Sequence, residues 1–240
     1  MHPNTTITKW VHINEIGGDP WVRPIWGAVI EAVRAGKLSA LPKSTMELGL
    51  HISTRLSMLP NVINRVNAET KTVFLALKNS DPKYVSSKGV PGYAFPIADD
   101  LKYSLLTDID SLLFELNSAC DLMCDFVKAL YSHVRKPIRK SKVGPEIVRI
   151  LKSAGHDPCW FRSLDSNRNF FMHEGAPYIA VDVSIGDQAC DLIIMKQNLK
   201  TFDDPKKFIM LSELDKIVRG FVIAKKVIQN RLVNLYREIL

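Results

Sequence analysis

Residues 99–134 read DDLKYSLLTDIDSLLFELNSACDLMCDFVKALYSHV, and this stretch decides the fold class. Its apolar residues recur at steps of three and four, the spacing of one face of an α-helix. Asp99 and Asp100 lie where acidic side chains favour the helix dipole, and Pro137 follows the end of the pattern. The sequence therefore predicts one long amphipathic helix. Its stripe consists of Leu101, Leu105, Ile109, Leu112, Leu116, Cys120, Met123, Val127 and Leu130.

Three further helices are predicted after the long one. Residues 144–155 begin with Gly-Pro-Glu and end at a glycine, which indicates a short second helix. Asp157 followed by Pro158 matches an N-cap with proline at the first helical position, so a third helix should run from there to about Gly175. A last amphipathic helix spans about 212–239. Because such helices bury their stripes against one another, the sequence predicts a mainly α fold built on a four-helix bundle.

A β-hairpin is predicted between the third and last helices. Residues 178–184 alternate between apolar and polar side chains, Gly186 and Asp187 can form a turn, and the apolar residues return at 189–195. The bundle should therefore carry an inserted hairpin at about 178–195.

The first 98 residues predict a mixed α/β extension or subdomain of unknown function. Residues 24–35 fit a short helix, and residues 70–77 (TKTVFLAL) are β-branched and apolar, which favours a strand. Residues 48–58 fit both helical spacing and near-alternation. The segment 79–98 is rich in Pro and Gly and is the best boundary candidate, which divides the chain into 1–98 and 99–240.

The composition is that of a soluble globular protein, with 46% hydrophobic and 24% charged residues among 240. The four cysteines form no CxxC pair, which argues against a zinc ribbon or a thioredoxin-like site. No run of about 18 apolar residues is present, so no membrane span is expected and the default location is the cytoplasm. The formal net charge of +7 permits an anionic partner without requiring one.

Much of the positive charge lies in one cluster directly after the predicted long helix. That helix contains seven acidic and two basic residues in 99–134, whereas the cluster that follows is almost purely basic. The cluster could guide RNA through attraction to phosphates, or it could be a solvated loop, and the sequence leaves both open. Its members are Arg135, Lys136, Arg139, Lys140 and Lys142.

The third predicted helix carries the residues with chemical potential. Asn169 and His173 are four apart and share a face, and Ser166 and Arg162 extend the same row toward the N-terminus. Arg168 is about 100° from Asn169 around the helix, but its long side chain can reach the polar row. Arginine matches the geometry of a phosphate, and histidine transfers protons near neutral pH. Cleavage of a phosphodiester without metal needs both of these roles.

This motif helix resembles that of the HEPN superfamily, whose common R-N-x-x-x-H form is matched by Arg168, Asn169 and His173. The order of a long helix, a motif helix and a final long helix is also similar, and the resemblance covers roughly 99–240. It implies a metal-independent endoribonuclease without a cofactor, acting on single-stranded RNA as a homodimer, often in toxin or defence systems with an antitoxin protein as partner. Arg168 would then bind the scissile phosphate, His173 would serve as acid/base for attack by the ribose 2′-OH, and Asn169 would position them.

Other interpretations of the same residues stay open. Arg162, Ser166 and the basic cluster would contribute to substrate binding in an enzyme, but the domain could instead be a non-catalytic HEPN-like module that binds a protein or a nucleic acid. Arg168 could pair with Asp165 or with a carboxylate of the long helix. His173 could be a helix-terminal histidine favoured by the dipole. The HExxH zinc motif is excluded because Pro177 occupies the position of the second histidine.

Overall fold

A computed structural model describes residues 18–81, 94–173, 178–184, 190–195 and 197–240, and for 171–173 it describes the backbone alone. This part of the chain is mainly helical, with six α-helices and a small antiparallel sheet. The helices are α1 Arg23–Arg34, α2 Lys43–Lys78, α3 Asp99–His133, α4 Lys140–Ser153, α5 Cys159–His173 and α6 Leu211–Arg237. The strands are β1 Tyr178–Asp182, β2 Asp191–Met195 and β3 Phe208–Met210.

Helix α3 has the bounds that the hydrophobic pattern predicts. Its stripe is buried from Leu105 to Leu130, and only Leu101, in the first turn, is partly exposed. Asp99 and Asp100 form the acidic first turn. The long amphipathic helix is therefore confirmed, and it lies at the centre of the single core cluster to which every other helix contributes buried residues.

The predicted strand at 70–77 is wrong, because these residues are the last turns of the 36-residue helix α2. Residues 48–58, which fit two patterns, belong to the same helix. Thr70, Val73 and Leu77 continue a buried row with helical spacing that starts far upstream. The gain from burying this whole stripe outweighs the local β preference of TKTVFLAL. The described part of residues 1–98 therefore contains helices and no strand, contrary to the mixed α/β prediction.

Charged pairs join α2 to α3 along their shared length. Arg55 Nη1 donates hydrogen bonds to both oxygens of the Glu115 carboxylate, at 2.6 and 2.8 Å. Arg65 holds Asp108 through two hydrogen bonds of 2.8 Å each. The two carboxylates are on buried residues of α3, so α2 supplies the counter-charges that make their burial tolerable.

We expect Arg55→Met to destabilise the protein by about 2 kcal/mol, because the Glu115 carboxylate would lose its charged partner while remaining largely out of water. The value is below that for a fully buried pair because the Arg55 side chain is 33% exposed. Urea unfolding of Arg55→Met, Glu115→Gln and the double variant Arg55→Met/Glu115→Gln measures the change in the free energy of unfolding. The double variant should recover part of the loss, and an unchanged midpoint in Arg55→Met would contradict the assignment.

The N-terminal end of the described chain is fastened to α6. Asp19 accepts a hydrogen bond of 3.0 Å from Lys225 Nζ, and Trp21 Nε1 donates to the backbone carbonyl of Lys225 at 2.7 Å. Lys225 interrupts the apolar stripe of the last helix in the sequence, and this pairing explains how the core tolerates it. The side chain is 26% exposed and reaches the Asp19 carboxylate at the edge of the core.

Helix α4 begins at Lys140, four residues before the predicted start at residue 144. The physical reason is Val143, which is 3% exposed and lies on the same face as Ile147 and Ile150. Burying it extends the helix upstream, so Pro145 lies inside the helix rather than at its start. The predicted end is confirmed, since Gly155 has a φ of +77° just past the last turn.

The predicted hairpin is confirmed by its two strands. β1 pairs antiparallel with β2, and the register places Tyr178 opposite Met195 and Asp182 opposite Asp191. The turn predicted at 186 and 187 lies outside the described residues. Strand β3 was not predicted; it pairs with the other edge of β2 and leads directly into α6. Asp191 Oδ1 accepts from the backbone N–H of Ser212 at 3.2 Å, which attaches the sheet to the start of α6.

The division into 1–98 and 99–240 stays a prediction about independent folding. Residues 79–81 and 94–98 form an irregular connection between α2 and α3, and 82–93 lie outside the described residues. In the part of the chain that the structure describes, no helix is long and apolar enough to cross a membrane.

Candidate active site

Helix α5 is fixed against the core on two sides. Asp157 Oδ1 accepts a hydrogen bond from the Cys159 backbone N–H at 2.9 Å, which is the predicted N-cap contact. Trp160 packs against Gly220 of α6, where an added Cβ would lie 2.3 Å from Trp160 Cγ. Leu164 is 1% exposed and Phe170 is 8% exposed. The absence of a side chain at Gly220 therefore sets how closely α5 approaches α6.

The predicted polar row is present on the outer face of α5. Arg162, Ser166 and Asn169 are all exposed. His173 is the final residue of the same continuous helix, so its backbone extends this row. Its side chain lies outside the described part of the structure, and its role as acid/base stays a prediction.

Arg168 has no carboxylate partner among the described residues. The residue is partly buried, and its Nε is buried without a hydrogen-bond acceptor. Asp165, one turn earlier, forms no ion pair with it. The buried carboxylates of α3 are bound elsewhere, Glu115 by Arg55 and Asp108 by Arg65. Arg168 is therefore not the ion-pair partner of any described carboxylate.

An unpaired guanidinium has a chemical consequence. A buried polar N–H without an acceptor costs free energy, and a charged group costs more than a neutral one. An incoming phosphate can accept from several guanidinium N–H groups at once and removes that cost on binding. Arg168 precedes the exposed Asn169 on α5, and its guanidinium has no partner among the described residues.

A cavity of about 540 Å³ opens on one flank of α5. It lies between α5 and α6, with the α4–α5 connection at one end. Ser166 belongs both to the polar row and to the cavity wall, so the two surfaces adjoin. The main wall residues are Leu151, His156, Asp157, Cys159, Trp160, Ser163, Ser166, Asn167, Glu213, Lys216, Ile217 and Gly220. Sequence reasoning missed this cavity, because it depends on how α6 packs beside α5.

Three of the four cysteines are unsuited to nucleophilic chemistry. The hydrogen bond from Cys159 to Asp157 raises the pKa of that exposed thiol. Burial raises the pKa of Cys124 to about 11 and raises that of Cys120 further. All three thiols are therefore protonated near neutral pH. Within the described residues, no group of three or more His, Cys, Asp or Glu side chains could hold a metal ion.

The basic cluster lies far from the cavity beside α5. Arg135 ends α3 in a left-handed conformation with φ of 59°, and Lys136 Nζ lies 3.5 Å from Glu238 Oε2 just beyond α6. The cavity beside α5 contacts α6 near Lys216. At 1.5 Å of rise per residue, this places Glu238 about 33 Å from Lys216 along the helix. Arg139 and Lys140, at the start of α4, are exposed at the same far end.

No protein-family model, no curated protein and no solved structure matches this chain. A functional assignment therefore has to come from the residues of α5 and their surroundings.

Proposed function

We propose that this chain is a metal-independent endoribonuclease of the HEPN type that cleaves single-stranded RNA. The observation that carries the proposal is the guanidinium of Arg168, which has no carboxylate partner in the described structure and adjoins the exposed polar row of α5. The alternative, in which Arg168 is an ion-pair residue, finds no support among the described carboxylates, and two buried ones of α3, Glu115 and Asp108, are bound by α2.

The reaction needs one proton-transfer group and one charge-stabilising group. In the proposed step, the ribose 2′-oxygen attacks the adjacent phosphorus while a base removes its proton, and the bond to the 5′-oxygen of the next nucleotide breaks with protonation of that oxygen. His173 is the proposed acid/base, and Arg168 neutralises the charge that builds on the phosphate. The products are a 2′,3′-cyclic phosphate and a free 5′-hydroxyl.

The neighbouring polar residues fit supporting roles. Asn169 positions Arg168, His173 or the substrate, and Arg162 and Ser166 bind the RNA on the same helical face. The basic cluster of Arg135, Lys136, Arg139 and Lys140 lies at the far end of α6 from the cavity, so in this proposal it contacts a longer RNA. The proposal also includes a homodimer, a cytoplasmic location and an antitoxin protein as a partner, since these accompany the HEPN resemblance.

The proposal predicts that the purified protein cuts single-stranded RNA in the presence of EDTA. Mass spectrometry of the products should find 2′,3′-cyclic phosphate on the upstream fragment and 5′-hydroxyl on the downstream one. The matched control is the same RNA with 2′-O-methyl groups, which lack the nucleophile and should stay intact. Cleavage of the methylated RNA, or cleavage that stops in EDTA, would overturn the mechanism.

A further inference from the structure

We infer that the cavity between α5 and α6 binds a purine base of the RNA, next to the phosphate held by Arg168. The inference rests on the proposed function for the identity of the ligand, and it adds the residues that would select the nucleotide. The carrying observation is an unpartnered amide, Asn167, beside a partly exposed tryptophan in a cavity of about 540 Å³ that shares Ser166 with the polar row.

The size and position of the cavity suit one nucleotide. Cavities that bind small ligands are commonly about 300–1,000 Å³, so 540 Å³ accommodates a base and part of its sugar. Ser166 lies three residues before Asn169, which is about 4.5 Å along the helix axis. An RNA strand crossing the outer face of α5 could therefore place a phosphate near Arg168 and the neighbouring base in the cavity.

Trp160 supplies a surface for base stacking. Gly220 lets the Cβ and Cγ end of its side chain sit directly on α6, and Phe161 and Phe221 pack edge-on against its indole at 5.6 and 6.1 Å between ring centroids. The ring is thereby held in one orientation while the residue stays partly exposed on the cavity wall. Stacking on a fixed aromatic ring is favourable for every base, and a two-ring purine covers more of an indole than a pyrimidine does.

Hydrogen-bonding groups on the wall can distinguish between bases. Asn167 is partly buried in mid-helix, where asparagine is a poor helix former, and its amide has no hydrogen-bond partner among the described residues. It offers both a donor and an acceptor to a base edge. Glu213 adds a carboxylate that pairs with no described cation, and it can accept from the exocyclic amino group of adenine, guanine or cytosine, which uracil lacks. Cytosine differs from the two purines by its smaller stacking area on Trp160.

Positive charge at the cavity can hold the backbone of the same nucleotide. Lys216 is exposed on the wall and forms no ion pair with a described residue. Arg219 is less available because it is paired with Asp215. The opposing carboxylate of Asp157 is engaged by the Cys159 backbone N–H.

The test measures binding of four 2′-O-methyl RNA tetramers, one for each base, to the full chain by tryptophan fluorescence and by NMR of the indole N–H signals. These RNAs cannot be cleaved, so binding is separated from turnover. The adenine and guanine tetramers should bind at least about fivefold more tightly than the cytosine and uracil tetramers. The Asn167→Ala variant should lower purine affinity about fivefold to tenfold, the range expected for one or two neutral hydrogen bonds.

The matched control is Asn64→Ala, which removes an exposed mid-helix asparagine of α2 and should leave binding unchanged. Asn167→Ala should not harm folding, because alanine is the better helix former. Equal affinity for all four tetramers, no binding at all, or an unaltered preference in Asn167→Ala would overturn the inference. Purine-selective binding without any cleavage of unmodified RNA would sustain the cavity and refute the proposed nuclease. Cleavage of unmodified RNA by a protein that binds all four tetramers equally would sustain the proposed nuclease and refute the inference about the cavity.

Discussion

Replacing Arg168 with alanine should lower the initial rate of RNA cleavage about a hundredfold or more, and His173→Ala should have an effect of the same size. Groups that transfer protons or stabilise developing charge contribute on this scale. The loss should not come from unfolding, because Arg168 makes no ion pair in the described protein and its Nε is buried without a partner. Circular dichroism and thermal unfolding of both variants should match the parent.

Two variants sharpen this prediction. Arg168→Lys keeps the charge but loses the planar fork, so we expect a rate between those of the alanine variant and the parent. Arg162→Ala removes an exposed arginine from the same helix, and it should weaken substrate binding with much less effect on the maximal rate. If Arg168→Ala and His173→Ala cut RNA as fast as the parent in EDTA, the roles given to these residues are wrong.

Removing residues 1–98 should abolish cooperative folding of the remaining chain. α1 and α2 bury a long apolar row against the rest of the protein, and a fully buried aliphatic side chain contributes about 1.5–3 kcal/mol. Even a few such losses equal the whole stability of a typical domain. The buried residues of α1 and α2 include Ile25, Val29, Ile52, Leu56, Leu59, Val62, Val66 and Val73, and Trp21 and Val22 just before α1 are buried as well.

Specific contacts support the same expectation. Arg55 and Arg65 neutralise carboxylates of α3, Trp21 packs against Phe126 at 6.0 Å between ring centroids, and His133 Nε2 lies 2.9 Å from the carbonyl oxygen of Ser39. Calorimetry of the 99–240 fragment should therefore show no sharp transition, whereas the full chain should show one. A fragment that melts cooperatively within a few degrees of the full chain would establish 99–240 as an independent domain and contradict this prediction.

The helix that could be predicted best is the one whose hydrophobic pattern repeats over many turns. α3 repeats its stripe over the whole of Asp99–His133, so pattern alone gives both ends. The eight residues 70–77 favour a strand by their local composition, but the burial that stabilises them as a helix extends over all of α2. β3 has only three residues, Phe208–Met210, too few for alternation to be visible, and it exists because the exposed edge of β2 pairs with it.

In the candidate site, too, some features could be predicted from the sequence and others depend on how distant elements pack. The exposed row of Arg162, Ser166 and Asn169 follows from helix periodicity, so the sequence predicts it. The lack of an ion-pair partner for Arg168 among the described residues could not be predicted, because it depends on which carboxylates the folded chain brings near α5. The cavity beside Asn167 was also inaccessible to sequence reasoning, since Gly220 and Trp160 are 60 residues apart in the chain and meet only through packing.

The central claim is that Arg168 and His173 act on one phosphate, and the rate of Arg168→Ala/His173→Ala tests it most directly. When two residues act together in one step, replacing either one already removes most of their joint contribution to the rate, and replacing the second adds little. Initial rates of RNA cleavage in EDTA should therefore place the double variant within about threefold of the slower single variant. Independent losses that multiply to about ten-thousandfold, or single variants as active as the parent, would contradict a shared site.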